Sequence, residues 1–543
     1  MKAEFQNGWM SSCQDLSTYV NPKRGWFDTR PNRGQMIDHK ILLDSYATQS
    51  LRTLASGLQS GMTSPSRDWF KLTTEDLSLD EVPGVRGWLD ETEKRMKEVI
   101  RRSNIYGAFY NAYEELGQFG TQAFLIIPDF ESIVRIRSYT AGEYFLSIDS
   151  RGRINGFARE FWMSVGQLIK EFGYENCSSQ TQSQYKNNLP DSWVKVNHLI
   201  EENDTRIPNR KDFKNMPYRS AYWEDGGSDK FLDVRGFRRF PVIASRWETV
   251  TTDQIYGYGP GWYALGNIKQ LQKTVLDKLI AQEKIHNPPM QQDASVDGSL
   301  NLLPGGVTKI TGTVPNSGVR PAYQISPNLE SFLELQNHLY QAIDKDFFVP
   351  LFQMLSYVEQ GKMTATEVAA RNQERLMLLG PVLYRIQEEI LDPTMEIVFD
   401  DMMESGSIPQ PPPQLSGMDL KVKYISILAQ AQQSLGVEQI QRTIGYVGSI
   451  SQASPGVIDI IDWDQSVREV GALEGAPAKL FLDKSQVAAL REQRAAAAKA
   501  QQMAQGAAIA ESASNTTKNL AQSPTDGNTA LSTMIKQVQD KQK

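Results

Sequence analysis

Tyr256-Gly257-Tyr258-Gly259-Pro260-Gly261 opens the stretch that decides the architecture. Two amphipathic segments of similar length, 262–286 and 327–347, follow it on either side of a Pro/Gly-punctuated insert. In the first, Leu265, Ile268, Leu271, Val275 and Leu279 recur at spacings of three and four, the period of one helix face. In the second, Leu329, Phe332, Leu335, Leu339, Ile343 and Phe347 do the same. At about 1.5 Å per residue such helices run roughly 30–38 Å. Two rods that leave a body, carry a small unit at their far end and return make a stalk. A stalk has little to pack on in a monomer, so its apolar stripes ask for neighbouring copies. The competing reading is an ordinary antiparallel helix pair inside one core.

The insert, 287–325, contains five prolines and five glycines, and Pro304-Gly305-Gly306 joins Leu300–Leu303 to Val307–Thr311 as a hairpin turn would. Its only charges are Asp293, Asp297, Lys309 and Arg320. A lone hairpin is marginal in water, so a β unit this poor in charge asks for partners to cover it.

A chain of 543 residues is too long for one core and divides into about two to four domains. Apolar content of 40% and charged content of 22% are those of a soluble globular protein. No run of 18 or more apolar residues is present, which excludes a transmembrane helix. Met1-Lys2-Ala3-Glu4-Phe5 has no apolar signal region. Cys13 and Cys177 are too few for a disulfide framework, so a reducing cytosol is the expected site of folding. The net charge of −7 argues against tight, sequence-independent DNA binding, which needs clustered Lys and Arg. A surface past which DNA slides is compatible with it.

Outward from the stalk, 36–58 reads as a helix closed by Gly57 and Gly61, and 85–117 as a helix broken near Gly107. Runs at 121–127, 133–138, 143–148, 154–162, 218–224 and 240–247 read as strands, with Asp149-Ser150-Arg151-Gly152 as a hairpin turn. The polar segment 177–217 reads as an excursion from the core. A long helix is expected from about Thr364 to Glu404, interrupted where Asp392 caps and Pro393 starts a second part. Glu388, Glu389, Asp392, Glu396, Asp400, Asp401 and Glu404 crowd its end against one base, Arg385. Acids there oppose the helix dipole; they make either a solvated face or the wall of a negatively lined channel. Pro409–Pro413 is a stiff linker. Helices are expected at 421–452, 463–474 and 484 to about 510, with 513–543 disordered by composition.

Enzyme motifs are not found. Gly361-Lys362 is followed by Met363 and lacks the upstream glycine of a phosphate loop, and Gly257–Gly261 has a proline where free N–H groups are needed. His39, His198, His286 and His338 are scattered without metal-ligand spacing. No cofactor is implied. The aromatic pairs Trp69-Phe70, Phe161-Trp162 and Tyr222-Trp223 could stack on bases, but without interleaved Lys or Arg core packing is the better reading.

Several stretches resemble the portal (head-to-tail connector) family of short-tailed, podovirus-type bacteriophages. They are Ile41–Ser45, Leu54-Ala55-Ser56-Gly57-Leu58, Gly61–Leu72, Tyr256–Gly261, and Met363-Thr364-Ala365-Thr366-Glu367-Val368 followed by Arg371, Glu374 and Leu379–Val382. Together they span roughly residues 30–410 in the family's order. The resemblance implies an α+β, multidomain protomer that assembles into a ring, usually a dodecamer. Its parts would be a wing (1–255 and 348–413), a stem (256–286 and 327–347), a clip (287–326) and a helical crown (414–512), ahead of the tail 513–543.

It also implies site residues. Leu265, Ile268, Leu271, Val275, Leu279, Leu335, Leu339 and Ile343 would pack between subunits along the stem. Ser356, Tyr357, Glu359, Gln360 and Lys362 would form a tunnel loop near DNA. Lys309 and Arg320 would serve docking on the clip, and Glu388, Glu389, Glu396, Asp400 and Asp401 would line the channel. The implied partners are double-stranded DNA passing without sequence specificity, the terminase large subunit, capsid and scaffolding proteins, and tail adaptor or nozzle proteins. The implied place is the virion's portal vertex after synthesis in the host cytoplasm. The alternative is a ring-forming tail adaptor or tail-tube protein; a DNA-processing enzyme of unfamiliar type is a more distant third.

Overall fold

The computed structural model describes residues 1–543 apart from 29–41, 75–81, 208, 211, 227–229, 293–318, 322–328, 354–377, 416–419, 430–439, 441–442, 451–454, 474–483, 522–536 and 538–543. The chain forms two compact units, Met1–Gln439 and Ile440–Lys543. It mixes helix and sheet, an α+β protein.

The first unit opens with α1 (Lys2–Gly8), α2 (Met10–Tyr19) and α3 (Tyr46–Met62), then strand β1 (Phe70–Thr74). Helices α4 (Pro83–Arg102) and α5 (Ile105–Phe119) lead into β2 (Thr121–Asp129), β3 (Ile133–Tyr139), β4 (Tyr144–Ile148) and β5 (Ile154–Ser164). After α6 (Val165–Phe172) and α7 (Ser179–Lys186) come β6 (Trp193–Glu202), β7 (Tyr218–Glu224), β8 (Asp233–Phe237) and β9 (Val242–Arg246). The long α8 (Pro260–His286), short strands β10 (Met290–Gln292) and β11 (Val319–Pro321), and α9 (Leu329–Asp346) come next. Helix α10 (Asp392–Glu404) and β12 (Leu420–Tyr424) complete the named elements of this unit. The second unit contains α11 (Trp463–Leu473) and α12 (Lys484–Ala521), where Arg491 pairs with Asp464 at 2.6 Å.

Among the described residues four antiparallel sheets lie in the first unit, β3-β2-β9, β4-β5-β6-β7-β8, β1 with β12, and the short pair β10-β11. Helix α5 packs on the first of them and α3 packs on α5, with Leu51, Leu54, Leu58, Phe109, Tyr113 and Phe124 all essentially without solvent exposure. Gly57 and Gly61, expected to close a helix, lie inside α3. A Cβ on Gly57 would stand 2.2 Å from the Phe352 ring and one on Gly61 2.6 Å from Leu428, so both glycines admit a neighbour rather than end the helix. The break expected near Gly107 falls instead at Ser103-Asn104. There the Asn104 side chain accepts from Ile136 N (2.8 Å) and donates to Ile136 O (2.7 Å), acting as a strand partner for β3.

The six expected strands are present, and others form where the polarity of the sequence does not suggest them. β6 runs through the segment read as an excursion and sits at the centre of the five-stranded sheet. Its polar middle is tolerable because it is satisfied: His198 Nδ1 accepts from Arg159 Nε (3.2 Å), and its other nitrogen meets Ser220 Oγ at 2.9 Å. β8 is an edge strand beside β7. The helix expected from 421 is instead β12, registered Phe70↔Tyr424 through Thr74↔Leu420 against β1. The alternation Lys421-Val422-Lys423-Tyr424 is the period-two pattern of such a strand. It moves the start of the expected crown back into the first unit. The last helix continues to Ala521, so the beginning of the expected disordered tail is helical.

The helix before α10 does not break at Pro393. A π-turn, Gln387–Leu391, carries it into α10, and Asp392 does not cap. Widening the ladder there accommodates the missing proline N–H. Asp392 instead accepts a hydrogen bond from Tyr424 Oη, tying the helix to β12.

One crossing has no room for side chains. Gly120, with φ of 77°, ends α5 in the left-handed region, and a Cβ there would stand 2.4 Å from the Tyr258 carbonyl carbon. Gly120→Ala is expected to destabilise the fold by at least about 1–2 kcal/mol from the left-handed backbone alone. Thermal unfolding of the variant checks this.

Candidate functional site

The site begins at that crossing, because it sets the direction of α8. The loop 256–261 runs against the α5–β2 junction: Gly257 N donates to Thr121 Oγ1 (2.7 Å), and Tyr258 N donates to Glu248 O (2.9 Å). Trp262 Nε1 donates to Phe119 O (2.8 Å). A Cβ on Gly259 would meet Leu116 O at 2.4 Å. Trp9, Tyr258 and Trp262 pack ring on ring beside it, with centroids 5.2–5.4 Å apart. Pro260 then starts α8 with its φ already helical and no N–H to strand.

Helices α8 and α9 pack together as the antiparallel pair that the periodicity predicts. Their stripe divides into two parts. Ile268, Leu271, Val275, Leu339 and Ile343 are buried within the single chain, and Leu265 is half-buried against the same core. Leu279 and Leu335, further from the body, are 46% and 38% exposed, as are Leu276, Ile280, Ile285 and Leu333 to similar degrees. Within the single chain the body covers the lower half of the stripe and leaves the upper half uncovered.

A polar clamp holds the root. Gln272 of α8 accepts from Leu43 N (2.8 Å) and Asp44 N (3.0 Å) and donates to Asp44 O (2.7 Å). From α9, Tyr340 Oη donates to Asp44 Oδ2 (2.7 Å), while Asp344 accepts from Tyr46 Oη (2.7 Å) and Ser50 Oγ (2.9 Å). Tyr46 and Tyr340 stack at 3.9 Å. Burial, followed by the Asp344 hydrogen bond, pushes the Tyr46 phenol well above its usual range. Sequence reading missed these residues, since a Gln, an Asp and two Tyr on helix faces carry no pattern until the segment 43–50 is placed beside them.

Asp346 ends α9, and Phe348, with φ of 56°, turns the chain before Pro350 rather than at it. Leu351 and Phe352 are buried and fasten this turn to the core. Ser356, Tyr357, Glu359, Gln360 and Lys362 lie outside the described residues, as does Lys309. Arg320 lies in β11, paired in register with Gln291 of β10, so the insert leaves α8 and rejoins α9 as a short two-stranded neck.

The acidic run is largely neutralised by arginines. Glu389, in the π-turn, accepts from Arg246 N and Nη2, both at 2.9 Å, and Arg246 also donates to Gln254 O and Gly152 O. This buried knot joins β9, the 149–152 hairpin and the helix. On the exposed face Arg239 pairs with Glu396 and, at 2.8 Å, with Asp400. Asp401 is half-buried; burial, then Glu404 and Asp400, push its carboxyl up to about 6. Glu388 is exposed and forms no ion pair among the described residues. Within one chain arginines thus hold Glu389, Glu396 and Asp400 of these five acids.

Comparison with known proteins identifies the architecture. The family model described as bacteriophage head to tail connecting protein matches residues 1–482. The chain belongs to that family, the phage portal proteins. It is 38% identical over 529 residues to a probable portal protein of Bordetella phage BPP-1, covering 97% of this chain and 94% of that protein. It is 36% identical over 533 residues to the portal protein of Salmonella phage epsilon15, covering 98% and 94%. Its function is that of a phage portal, a structural component of the virion and not an enzyme. Among the described residues no helix is long and apolar enough to cross a membrane.

Two outcomes test the site's physics. Asp344→Ala strands the Tyr46 and Ser50 hydroxyls and is expected to cost about 1–3 kcal/mol, read by thermal unfolding and by faster proteolysis at the root of α9. Asp401 has a folded pKa raised above its unfolded value of 3.8, so its favourable contribution holds at low pH and is lost as pH rises through about 6. Asp401→Asn is therefore expected to raise the melting temperature at pH 8 and to give no gain near pH 4.

Proposed function

We propose that copies of this chain form a ring, a dodecamer, around a channel at one capsid vertex, through which double-stranded DNA is packaged and later ejected. The single observation that carries the ring reading is the divided stem stripe. Its lower half is buried by the body, which fixes the helix pair as a rigid rod. Its upper half leaves Leu279 and Leu335 exposed, and Leu276, Ile280 and Leu333 of the same two helices are exposed as well. Exposed apolar side chains gathered at one end of a helix pair mark a surface that a partner covers. A ring of identical rods supplies that partner from the same gene product.

In this reading the body is the wing, α8 and α9 the stem, the neck and 293–318 the clip, and the C-terminal residues the crown, with 522–543 a tail that assembly does not need. The clip, with Lys309 and Arg320, docks the terminase motor and later the tail adaptor or nozzle, and the wing meets capsid and scaffolding proteins. The loop from 354 with Ser356, Tyr357, Glu359, Gln360 and Lys362 approaches DNA. Glu388 is the acid of the run best suited to face the lumen, because arginines hold Glu389, Glu396 and Asp400. Loose electrostatics suit a channel in which DNA must move. Synthesis takes place in the host cytoplasm.

The experiment is substitution within the stripe at two heights. Leu279→Asp with Leu335→Asp places charges on exposed positions and is expected to leave the protomer folded while sedimentation shifts from rings to monomers. Leu271→Asp buries a charge and is expected to unfold the protomer, at a cost of several kcal/mol. Rings from the Leu279/Leu335 variant would overturn the reading.

A further inference from the structure

Two surface features of the first unit, unrelated in sequence pattern, match one another. The first is the β2–β3 turn, Asp129-Phe130-Glu131-Ser132. Phe130 is 109% exposed, its ring touching none of its own chain. The turn is nonetheless rigid: Asp129 Oδ2 accepts from Ser132 N (3.0 Å) and Ser132 Oγ (2.7 Å). Ile133, a β-branched residue, is held at φ of 69°, a costly conformation that persists only where the surroundings enforce it. Glu131 beside the ring is exposed and forms no ion pair among the described residues. A fixed, fully exposed phenylalanine beside a free carboxylate is a knob.

The second feature is a cleft of about 980 Å³ lined by residues of β3, β5, β6 and the N-terminal helices. At its floor lies Arg159, only 7% exposed, its guanidinium 4.0 Å from the Phe161 ring centroid and 5.2 Å from that of Tyr139. Its Nε donates to His198 Nδ1, a neutral acceptor, and no carboxylate stands within ion-pair distance of it among the described residues. Glu143, which also lines the cleft, instead accepts from Thr140 N (3.2 Å). A buried cation without a counter-ion is expensive and calls for an anion from elsewhere. Trp162, Tyr222 and the exposed Arg137 complete a wall that is aromatic and cationic. Glu160, which also faces the cleft, is already paired with Lys2 and Lys195, so the cation left for an incoming group at the floor is the single Arg159 guanidinium, and a single carboxylate beside an apolar ring fits it.

Knob and socket lie at opposite ends of β3, the turn before Ile133 and the cleft around Arg137 and Tyr139. Six steps of about 3.3 Å separate them by roughly 20 Å, too far for one chain to satisfy both. A head-to-tail contact between copies satisfies both at once, and such heterologous contacts close into rings when the rotation permits. We propose that the cleft receives the Asp129-Phe130-Glu131 turn of the neighbouring subunit, with Phe130 on the aromatic wall and Glu131 reaching Arg159. This contact rests on the ring reading above and assigns the wing its own subunit interface, independent of the stem.

The test uses the full chain. Phe130→p-benzoyl-phenylalanine keeps an aromatic knob and, on irradiation of assembled rings, is expected to yield inter-subunit adducts to peptides containing residues 137–163. Phe130→Ala is expected to raise the protein concentration at half assembly by about tenfold with the protomer's melting temperature unchanged, since the ring contacts nothing in its own chain. Adducts elsewhere, or Phe130→Ala rings that assemble at the wild-type concentration, overturn the contact; attachment to a capsid or scaffolding peptide would assign the knob to that partner instead. A wild-type chain that sediments as a monomer at every concentration removes the ring reading itself, a result separable from the others because it needs no variant.

Discussion

Backbone packed directly on backbone, where the 256–261 loop crosses the end of α5, is the constraint on which the rest depends. At that point Gly120, Gly257 and Gly259 bring main chain to main chain without a side chain between them. Because the contact is made by peptide groups and fixed hydrogen bonds, the first turn of α8 has no freedom to tilt. A helix of 27 residues then converts that fixed start into a fixed direction about 40 Å away. The Asp44–Gln272–Tyr340–Asp344 clamp repeats the restraint one level up and brings α9 under it.

Charge is handled with the same economy. The acids near the end of the long helix would oppose its dipole if left alone, yet Arg246 and Arg239 hold three of them in ion pairs. Arg246 in particular is buried and donates to Glu389 and to two carbonyls, which locks β9 to the π-turn and to the hairpin. Elsewhere Arg159 is left on a neutral histidine. The two buried arginines differ in their partners: Arg246 holds a carboxylate, whereas Arg159 donates to a neutral histidine.

Much of the fold was legible because it obeys period. The stem helices, the six alternating strands and the 149–152 turn follow from spacing alone. The misses share a cause: neighbours that are distant in the chain. His198 disguises the central strand β6 because the partners that satisfy it, Arg159 and Ser220, come from other strands. Lys421 and Lys423 disguise β12 because β1, against which it pairs, lies near the other end of the unit's sequence. Gly57 and Gly61 read as helix ends for want of knowing that Phe352 and Leu428 press on them. Of the proposed site, the stem stripe was visible, but which half of it the chain itself covers was not.

The sequence by itself determined the paired helices α8 and α9, the α+β character and the likeness to the portal family, since periodicity and ordered short motifs are local properties written in adjacent residues. Only the tertiary structure decided which leucines stay uncovered, which acids are paired and which arginine is not. Those depend on residues from distant parts of the chain meeting through the packing of helices on sheets, and spacing along the chain carries no record of such meetings.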